Sequence, residues 1–393
     1  MEKNNKTLNV PNLRFPEFAG EWEKCTIGDF GNVITGNTPP TAEDENYDNG
    51  THLWASPADL GTTKYIESTQ TLLSDRGFEK SRSFPANSIL VTCIGSTIGK
   101  MGMSKTEMAS NQQINTIVPV QHDANFVYYA VQSRFPRYLS SIAVQAVPIL
   151  SKSSFEKLTN YTTARKEQIK IGNLLSLIDE RIDTQKKIIE DLKKLKDAIT
   201  HFHYRNELSH SPMVYIGQYI TQVSKRNKDA KIDRVLSVSN KYGFINQDEQ
   251  FEDREVASAD TSNYKVVHKG DFAYNPARIN VGSVARLQEF ENGIVSPMYV
   301  CFTAKKGLLP AYFELYLSTS IFKHEMNKRL EGSVRLCLTY ESLCNIKIAL
   351  PEFNVQKGFV SKVSAILTKI RAEERLLYLY HNCKQYLLSQ MFI

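Results

Sequence analysis

"ARKEQIKIGNLLSLIDERIDTQKKIIEDLKKLKDAITHFHY", residues 164 to 204, is the stretch that decides the fold of this chain. It contains no proline and one glycine, and its richness in leucine, isoleucine, lysine and glutamate favours helix. Apolar residues recur at alternating steps of four and three, which is the spacing of a coiled coil. This seam runs through Ile171, Leu175, Ile178, Ile182, Gln185, Ile189, Leu192, Lys196 and Ile199. The pattern predicts one long helix that packs along its length against a second helix.

A second stretch of the same kind closes the sequence: "EFNVQKGFVSKVSAILTKIRAEERLLYLYHNCKQYLLSQMFI", residues 352 to 393. Shifted by 188 positions, the first seam coincides with Phe359, Val363, Ile366, Ile370, Glu373, Leu377, Tyr380, Lys384 and Leu387. The two polar interruptions fall at the same places in both seams. The match is too long to be accidental, so the sequence contains an internal repeat.

The repeat extends into the segments that precede each helix. At the same offset "ILSKSSFEKL" (149–158) aligns with "CLTYESLCNI" (337–346), and further upstream "CTIGDFGNVITGNTP" parallels "VYIGQYITQVSKRN". Short strands such as "SILVTC" and "MYVCFT" occur there between turns and short helices. We therefore expect an α+β fold with two pseudo-repeated mixed α/β domains, separated by two long antiparallel coiled-coil helices. The predicted boundaries are an N-terminal tail at 1–12, domains at 13–160 and 209–350, and spacer helices at 161–208 and 351–393.

An antiparallel pairing of the two helices about a pseudo-twofold axis would place one globular domain at each end of a rod. A helix of 38 residues at 1.5 Å each gives a rod of about 57 Å. Gln185 and Glu373, at the midpoints of the two seams, would then face each other and form a hydrogen bond. The alternative is that both lie at the solvated edge of the seam. Apolar residues beside the seams predict a further partner that covers them: Leu174, Leu177, Ile188, Leu195, Leu376 and Tyr378.

Composition restricts the class of protein without deciding it. The chain has 393 residues and a formal net charge of +6, which permits nucleic-acid binding but does not demand it. Its six cysteines are scattered, with no Cys-x-x-Cys pair, so neither a zinc site nor a disulfide framework is expected. The N-terminus lacks the apolar region of a signal peptide, and no stretch has the length of a membrane span. These features predict a cytoplasmic chain with reduced thiols and no membrane contact.

The sequence offers no motif that predicts catalysis. In "GDFAYNPARINVGSVARL" (270–287), Asn275 and Pro276 begin like the Asn-Pro-Pro-aromatic tetrad of amino-methyltransferases, but Ala277 and Arg278 follow. An echo of this stretch, "NSILVTCIGSTIGKMGM" (87–103), shares the strand, the glycine turn and a basic residue, and shares no catalytic candidate. Both stretches therefore fit a repeated strand-turn-strand unit. The glycine-rich motifs that bind nucleotides or S-adenosylmethionine are missing, as is a Ser-His-Asp arrangement.

Basic, amide and aromatic side chains gather in several loops of the two predicted domains. Arg and Lys can contact guanine edges and phosphates, and Asn can contact adenine. Taken singly, each is better explained as a solvated loop residue. As a set they are candidate DNA-binding residues: Lys64, Arg76, Lys80, Arg82, Lys100, Lys225, Arg226, Asn227, Lys228, Tyr274, Asn275, Arg278, Asn280 and Arg286.

The layout resembles the specificity (S) subunit of type I restriction-modification enzymes over nearly the whole chain. The resemblance is carried by "PNLRFPEFAGEWEKCTIGDFGNVITGNTP" (11–39), "EQIKIGNLLSLIDERI" (167–182), "LPEFNVQKGFVSKVSAILTKI" (350–370) and "YNPARINVGSVA". In that family each target-recognition domain reads one half of a bipartite DNA site, and the helices set the gap. The resemblance therefore favours DNA contacts by the loops, and it implies that the chain has no catalytic activity of its own.

The resemblance also implies the partners. Two modification (methyltransferase) subunits would assemble on the helices and bind S-adenosylmethionine, and restriction (translocase and nuclease) subunits that use ATP and Mg²⁺ would then join. This chain would itself bind double-stranded DNA and no cofactor. The second helix has "FNVQK" where the first has the more typical "RKEQI", a departure that could alter contacts to a partner. Two rival functions remain open: a coiled-coil adaptor that does not bind DNA, and a stand-alone DNA methyltransferase, against which the missing cofactor motifs weigh heavily.

Overall fold

The computed structural model of the chain describes residues 9–141, 148–247, 261–332 and 335–393. The chain divides into two units. Unit 1 comprises Met1–Lys187 and Glu374–Ile393, and unit 2 comprises Ile188–Glu373, so each contains one globular part and a stretch of both long helices. Residues 1–8 of the predicted tail lie outside the described residues. In the described part of the tail, Asn12 Nδ2 donates to Gln390 Oε1 (3.3 Å).

Unit 1 is built on three sheets and four shorter helices in its described residues. Its strands are β1 (Glu23–Thr26), β2 (Gly31–Thr35), β3 (His52–Ala55), β4 (Tyr65–Ile66), β5 (Thr71–Leu73), β6 (Ser83–Phe84), β7 (Ile89–Thr92), β8 (Met101–Ser104), β9 (Met108–Ser110), β10 (Ile114–Pro119) and β11 (Thr159–Thr162). They form a five-stranded sheet β2-β10-β7-β8-β4, a four-stranded sheet β5-β3-β9-β6 and the pair β1-β11. The helices are α1 (Ile27–Phe30), α2 (Asp75–Glu79), α3 (Ala124–Ser141) and α4 (Lys152–Glu156).

The core of unit 1 explains why β7 is apolar throughout. All four of its residues are buried, as expected for a strand that is covered on both faces. Ile89 and Val91 join the cluster formed by α3, while Leu90 joins the cluster of the smaller sheet. From α3, Phe126 packs edge-on against Trp22, with ring centroids 5.6 Å apart. The larger sheet is therefore held between α3 and the smaller sheet.

Unit 2 contains a second set of strands and short helices. Its strands are β12 (Met213–Tyr215), β13 (Ile220–Val223), β14 (Val235–Ser239), β15 (Gly243–Asn246), β16 (Lys265–His268), β17 (Phe272–Tyr274), β18 (Val284–Arg286), β19 (Asn292–Val295), β20 (Val300–Ala304) and β21 (Lys347–Ala349). They form the sheets β13-β20-β17-β18 and β15-β14-β19-β16 and the pair β12-β21. The short helices in the described residues of this unit are α6 (Pro310–Leu317), α7 (Ser320–Asn327) and α8 (Tyr340–Cys344).

The strand pairing of unit 2 repeats that of unit 1. Each unit has one parallel pair inside its second sheet, β3 with β9 and β14 with β19, and each closes its first strand against its last. The hairpins β7-β8 and β17-β18 are both antiparallel, and the turns between them carry glycines with positive φ, at Gly95, Gly99 and Gly282. The internal repeat and its strand-turn-strand unit are thus confirmed. In unit 1, β4 adds an edge strand to the larger sheet.

Two long helices complete both units, as predicted. The first, α5 (Arg165–His210), has 46 residues, and the second, α9 (Phe353–Met391), has 39 and begins 188 positions after the first. Every residue of the two predicted seams is buried or half-buried. In unit 1, Ile171 near the start of α5 shares a core with Leu388 near the end of α9. In unit 2, His203 of α5 stacks on Phe359 of α9, with ring centroids 3.7 Å apart. The helices therefore run antiparallel in each unit, and the α+β class is confirmed.

The polar midpoints of the two seams are buried. Gln185 is 5% exposed and Glu373 is 8% exposed, so neither lies at a solvated edge. Within unit 2, Glu373 forms an ion pair with Lys369, one turn earlier on α9. The predicted hydrogen bond between Gln185 and Glu373 stays a prediction.

Most of the apolar residues beside the seams are exposed. Leu177, Ile188, Leu195, Leu376 and Tyr378 are exposed by between 37% and 64% of their surface. The exception is Leu174, which is half-buried against the core of unit 1. None of the helices in the described ranges combines the length and apolar character needed to cross a membrane.

Candidate nucleic-acid interface

The loop that follows β2 in unit 1 is held tightly against the end of β9. Gly36 lies so close that a Cβ atom placed on it would be 2.2 Å from the Ser110 carbonyl oxygen. The N–H of Asn37 donates to that oxygen (2.9 Å), and the Asn37 carbonyl accepts from Trp54 Nε1 (3.1 Å). Backbone contacts of this kind fix the loop before any ligand binds.

Two of the predicted DNA-binding residues pack against this loop. Asn37 Nδ2 donates to the Lys80 carbonyl oxygen (2.9 Å), and the Arg82 N–H donates to Asn37 Oδ1 (2.7 Å). The Arg82 guanidinium donates in turn to the Thr35 carbonyl oxygen (3.1 Å). The loop, the entry to β6 and the turn between β9 and β10 thus form one surface. We name it the first loop surface and define it as residues 35–39, 80–82 and 111–113.

Acidic residues further along the same loop pair with cations at this surface. Lys80 Nζ lies 2.5 Å from Glu43 Oε2, and Arg76 forms an ion pair with Glu45. The hydrogen bond from Lys80 lowers the pKa of Glu43. The four side chains are between 35% and 68% exposed, and ion pairs in such positions are weak. A phosphate group can therefore replace the carboxylates as the partner of Lys80 and Arg76.

The equivalent loop of unit 2 follows β13 and lines an open cleft of about 650 Å³. It lies against the residues that lead into β16, because Arg226 Nη1 donates to Asn263 Oδ1 (2.8 Å) and the Asn227 N–H donates to the Tyr264 carbonyl (3.0 Å). The entry to β6 holds the same place in unit 1. We name residues 224–232 and 263–268 the second loop surface. Its basic side chains in the cleft are Lys225, Arg226, Lys228, Lys231 and His268.

Asn227 shapes the second loop surface and does not offer its amide to DNA. Its side chain is 5% exposed. Nδ2 donates to the Ile232 carbonyl oxygen (2.7 Å), and Oδ1 accepts the Ile232 N–H (3.3 Å). Both amide groups are therefore used inside the loop, and the prediction of Asn227 as a DNA contact is wrong.

Tyr274 is excluded as a DNA contact by its place in the core of unit 2. It is 0% exposed and packs edge-on against Phe302, with ring centroids 6.3 Å apart. Burial raises the pKa of its hydroxyl. The residue belongs to β17 and points inward with its neighbour Phe272, which is equally buried. The prediction for Tyr274 is wrong because its aromatic ring contributes to packing.

Lys64 is likewise buried, at 5% exposure, and is wrong as a predicted DNA contact. Its Nζ donates to Asn125 Oδ1 and to Ser176 Oγ, both at 2.6 Å. Burial lowers the pKa of Lys64 to about 8. Asn125 belongs to α3 and Ser176 to α5, so the ammonium group joins the globular part of unit 1 to its long helix.

A buried ion pair reinforces the same junction. Lys384 Nζ on α9 lies 2.6 Å from Asp179 Oδ1 on α5, and both side chains are 12% exposed. The hydroxyl of Tyr129, on α3, donates to Asp179 Oδ2 (2.6 Å). Asp179 therefore connects three helices of unit 1.

The remaining candidates lie on the two strand-turn-strand units. Lys100 is exposed at the β7-β8 turn, and its aliphatic stem lies over Gly61. Arg278 and Asn280 are exposed at the β17-β18 turn, whereas Asn275 shapes that turn by accepting the Ala277 N–H at Oδ1 (3.1 Å). Among the predicted residues, these turns therefore offer three exposed side chains, those of Lys100, Arg278 and Asn280.

Arg286 has a partner within unit 2. Its Nε and Nη2 lie 3.0 Å and 2.9 Å from Glu314 Oε2 on α6, and its side chain is 18% exposed. Its guanidinium therefore joins β18 to α6. The predicted residues that are exposed in the structure are Arg76, Lys80, Arg82, Lys100, Lys225, Arg226, Lys228, Arg278 and Asn280.

The polar residues of the two loop surfaces that were missed at the level of sequence include Asn37, Thr38, Gln112, Lys231 and His268. One signal pointed to Asn37, because the internal repeat aligns "TGNTP" in the first half with "SKRN" in the second. The loop carries cations in the second copy and one amide, Asn37, in the first, so polar side chains recur at a common place. The turn with Gln112 gives no such signal, because its approach to Asn37 depends on sheet pairing.

The described residues contain no group of three or more His, Cys, Asp or Glu arranged to hold a metal ion. Burial raises the pKa of Cys25, Cys93 and Cys301 to about 12. Thiols with so high a pKa stay protonated and unreactive near neutral pH.

Comparison with known proteins finds similarity to one family. Residues 19–194 match the family described as "Type I restriction modification DNA specificity domain". The Type I restriction enzyme MjaVIII specificity subunit of Methanocaldococcus jannaschii is 25% identical over 410 residues, which cover 95% of this chain and 92% of that subunit. The chain is thus similar to type I specificity subunits, over residues 19–194 in the family comparison and over nearly its full length in the MjaVIII subunit.

Other members align over shorter stretches. The MjaIX specificity subunit of the same organism is 29% identical over 182 residues. This alignment covers 44% of this chain, and the chain spans only 42% of the length of that subunit. The crystal structure of the S subunit of a type I restriction-modification system from M. genitalium has the same fold. It superposes with a TM-score of 0.60 at 18% identity, covering 98% of this chain and 99% of that one.

Proposed function

We propose that this chain is the DNA sequence-recognition subunit of a type I restriction-modification complex, in which each unit reads one half of a bipartite site. The observation that carries the proposal is the repetition of one polar loop surface at the same topological place in both units. Lys80 and Arg82 mark it in unit 1, and Arg226 and Lys228 mark it in unit 2. Cations on such loops bind phosphates and guanine edges. The similarity to type I specificity subunits supports the same function.

The proposed subunit recognises DNA and leaves the chemistry to its partners. Two modification subunits would bind S-adenosylmethionine and methylate adenine, and restriction subunits would use ATP and Mg²⁺ to translocate and cut DNA. The chain itself would need no cofactor. The absence of nucleotide-binding and S-adenosylmethionine-binding motifs from the sequence supports this division of roles.

Exposed apolar residues on the long helices support the docking of two modification subunits. On α5 within unit 2, Ile188, Leu195 and Phe202 recur every seven residues and are 39%, 48% and 72% exposed. On α9 within unit 1, Leu379 and Tyr386 have the same spacing and are 52% and 60% exposed. A spacing of seven places residues on one face of a helix. Each unit therefore carries one exposed apolar stripe, which would dock one modification subunit.

The function is tested by co-expressing the chain with the products of its neighbouring genes and sequencing adenine methylation in the host DNA. A bipartite methylated motif that vanishes when this gene is deleted is the expected result. Arg82→Ala should weaken methylation through one half of the motif, and Arg226→Ala through the other. Complex formation without sequence-dependent methylation would favour a coiled-coil adaptor, and methylation by the purified chain alone would favour a stand-alone methyltransferase.

A further inference from the structure

Gln112 occupies a rigid turn between β9 and β10, within the first loop surface. The preceding residue, Asn111, is 8% exposed and donates its N–H to the Ala55 carbonyl oxygen (2.9 Å). Asn111 Oδ1 accepts the Gln113 N–H (3.0 Å), and Asn111 Nδ2 donates to Gln113 Oε1 (3.1 Å). These bonds anchor the turn from both sides of Gln112, whose own side chain is exposed.

The amide of Gln112 is oriented by a neighbouring threonine. Thr38 Oγ1 donates to Gln112 Oε1 at 2.5 Å. Thr38 follows Gly36 and Asn37, which are fixed against the end of β9. An exposed glutamine samples many rotamers, and ordering one on binding costs free energy. In this turn the hydroxyl of Thr38 selects the amide orientation before any ligand arrives.

An amide held in this way has the donor and acceptor pattern that complements adenine. In the major groove adenine presents an acceptor at N7 and a donor at N6, and Gln or Asn matches both. Oε1 of Gln112 has a second lone pair beyond the one used by Thr38, and Nε2 carries two N–H groups. Guanine presents acceptors at both N7 and O6, so it would leave Oε1 facing an acceptor.

Cations near Gln112 supply the affinity for DNA that recognition of a base requires. Lys80 and Arg82 belong to the same surface, through their contacts with Asn37. They can contact phosphates and so place the duplex, while the amide reads a base edge. In unit 2 the corresponding turn, residues 296–299, reads "SPMY" and carries no amide side chain. Recognition through an amide on this turn is therefore specific to unit 1.

We propose that Gln112, oriented by Thr38, is a specificity-determining residue that recognises the adenine of one A·T base pair in the half-site bound by unit 1. This inference rests on the proposed function, and it names the residue that would recognise one base and the base that it would recognise. The loop cations would not supply this discrimination, because Arg and Lys recognise phosphates and guanine edges and not adenine.

The test measures methylation by the full complex with its modification subunits on DNA duplexes randomised across both half-sites. Gln112→Ala should lower the preference for adenine at one position of one half-site by between about fivefold and 150-fold, the range for one bidentate base contact. Thr38→Val, which loses the hydroxyl but keeps the shape, should lower the preference at the same position by less. Thr38→Ser keeps a hydroxyl and should restore it. Gln70→Ala, at an exposed glutamine elsewhere in unit 1, is the matched control and should change nothing.

The outcomes separate this inference from the function on which it rests. A wild-type complex that methylates without sequence preference would overturn the proposed function itself. If the wild type is specific but Gln112→Ala keeps its base preference at every position, the role of Gln112 is refuted. Equal losses at both half-sites refute it as well, because a base reader in unit 1 acts on one half only. A Thr38→Val complex that matches wild type while Gln112→Ala does not would refute the orienting role of Thr38.

Discussion

Replacing Lys384 by methionine should destabilise unit 1 strongly, because it removes one partner of a buried ion pair. Asp179 would keep the hydroxyl of Tyr129 at 2.6 Å but would lose its ammonium partner, also at 2.6 Å. Methionine fills a similar volume, so the cost comes from the uncompensated carboxylate and not from a cavity.

The magnitude follows from the burial of both groups. Breaking a buried pair from one side costs roughly 3–5 kcal/mol in the free energy of unfolding. The bond from Tyr129 and the nearby charge of Lys64 remain, which places the expected cost at about 3 kcal/mol. At a urea dependence of about 2 kcal/mol per molar, the unfolding midpoint of unit 1 should fall by about 1.5 M.

Tryptophan fluorescence measures this unit selectively. The chain has two tryptophans, Trp22 and Trp54, and both lie in unit 1 with 2% and 8% of their surface exposed. A urea titration followed by their emission therefore reports the unfolding of unit 1. Adding Asp179→Asn to Lys384→Met removes the uncompensated charge and should recover at least half of the loss.

Lys105→Met is the matched control, since it breaks the exposed pair with Glu67 in the same unit, where the side chains are 59% and 66% exposed. It should leave the midpoint unchanged. The reasoning is refuted if Lys384→Met unfolds at the wild-type midpoint, or if the double variant is less stable than the single one.

Three further predictions concern other parts of the chain. Arg278→Ala should weaken methylation through the half-site of unit 2 and Lys100→Ala through that of unit 1, as read by methylation sequencing; equal effects on both halves would contradict the assignment. Leu195→Asp and Phe202→Asp should lower the affinity for the modification subunit by about tenfold or more in pull-down titrations, and an unchanged affinity would exclude this docking stripe. Burial lowers the pKa of Lys64 to about 8, against roughly 10.4 in an unfolded chain. The folded chain therefore binds fewer protons between these pH values, and its free energy of unfolding rises as pH increases from about 8 to about 10. In urea titrations, the Lys64→Met variant should lack this rise in the free energy of unfolding. An identical pH dependence in the variant and the wild type would contradict this prediction.

The sequence by itself determined the long helices, their seams and the internal repeat. Helical periodicity is a local property, because residues three and four positions apart meet on one face whatever the rest of the chain does. That is why the offset of 188 read from the seam reappears between Arg165 and Phe353, where the two helices begin. The strand-turn-strand unit was also predictable, since the glycines that its turns require stand in the sequence.

Only the tertiary structure decided which polar loop residues are exposed and which are buried. Lys64 and Lys80 are both lysines in loops of unit 1, yet the first is buried and the second is 35% exposed. The partners of Lys64 lie 61 and 112 positions away in sequence. Gln112 meets Thr38 across 74 positions, through strand pairings that no local pattern encodes. Burial and hydrogen bonding of a loop side chain depend on what the fold packs against it. Long-range contacts of this kind bury Lys64 between two helices, whereas Lys80 stays at the surface.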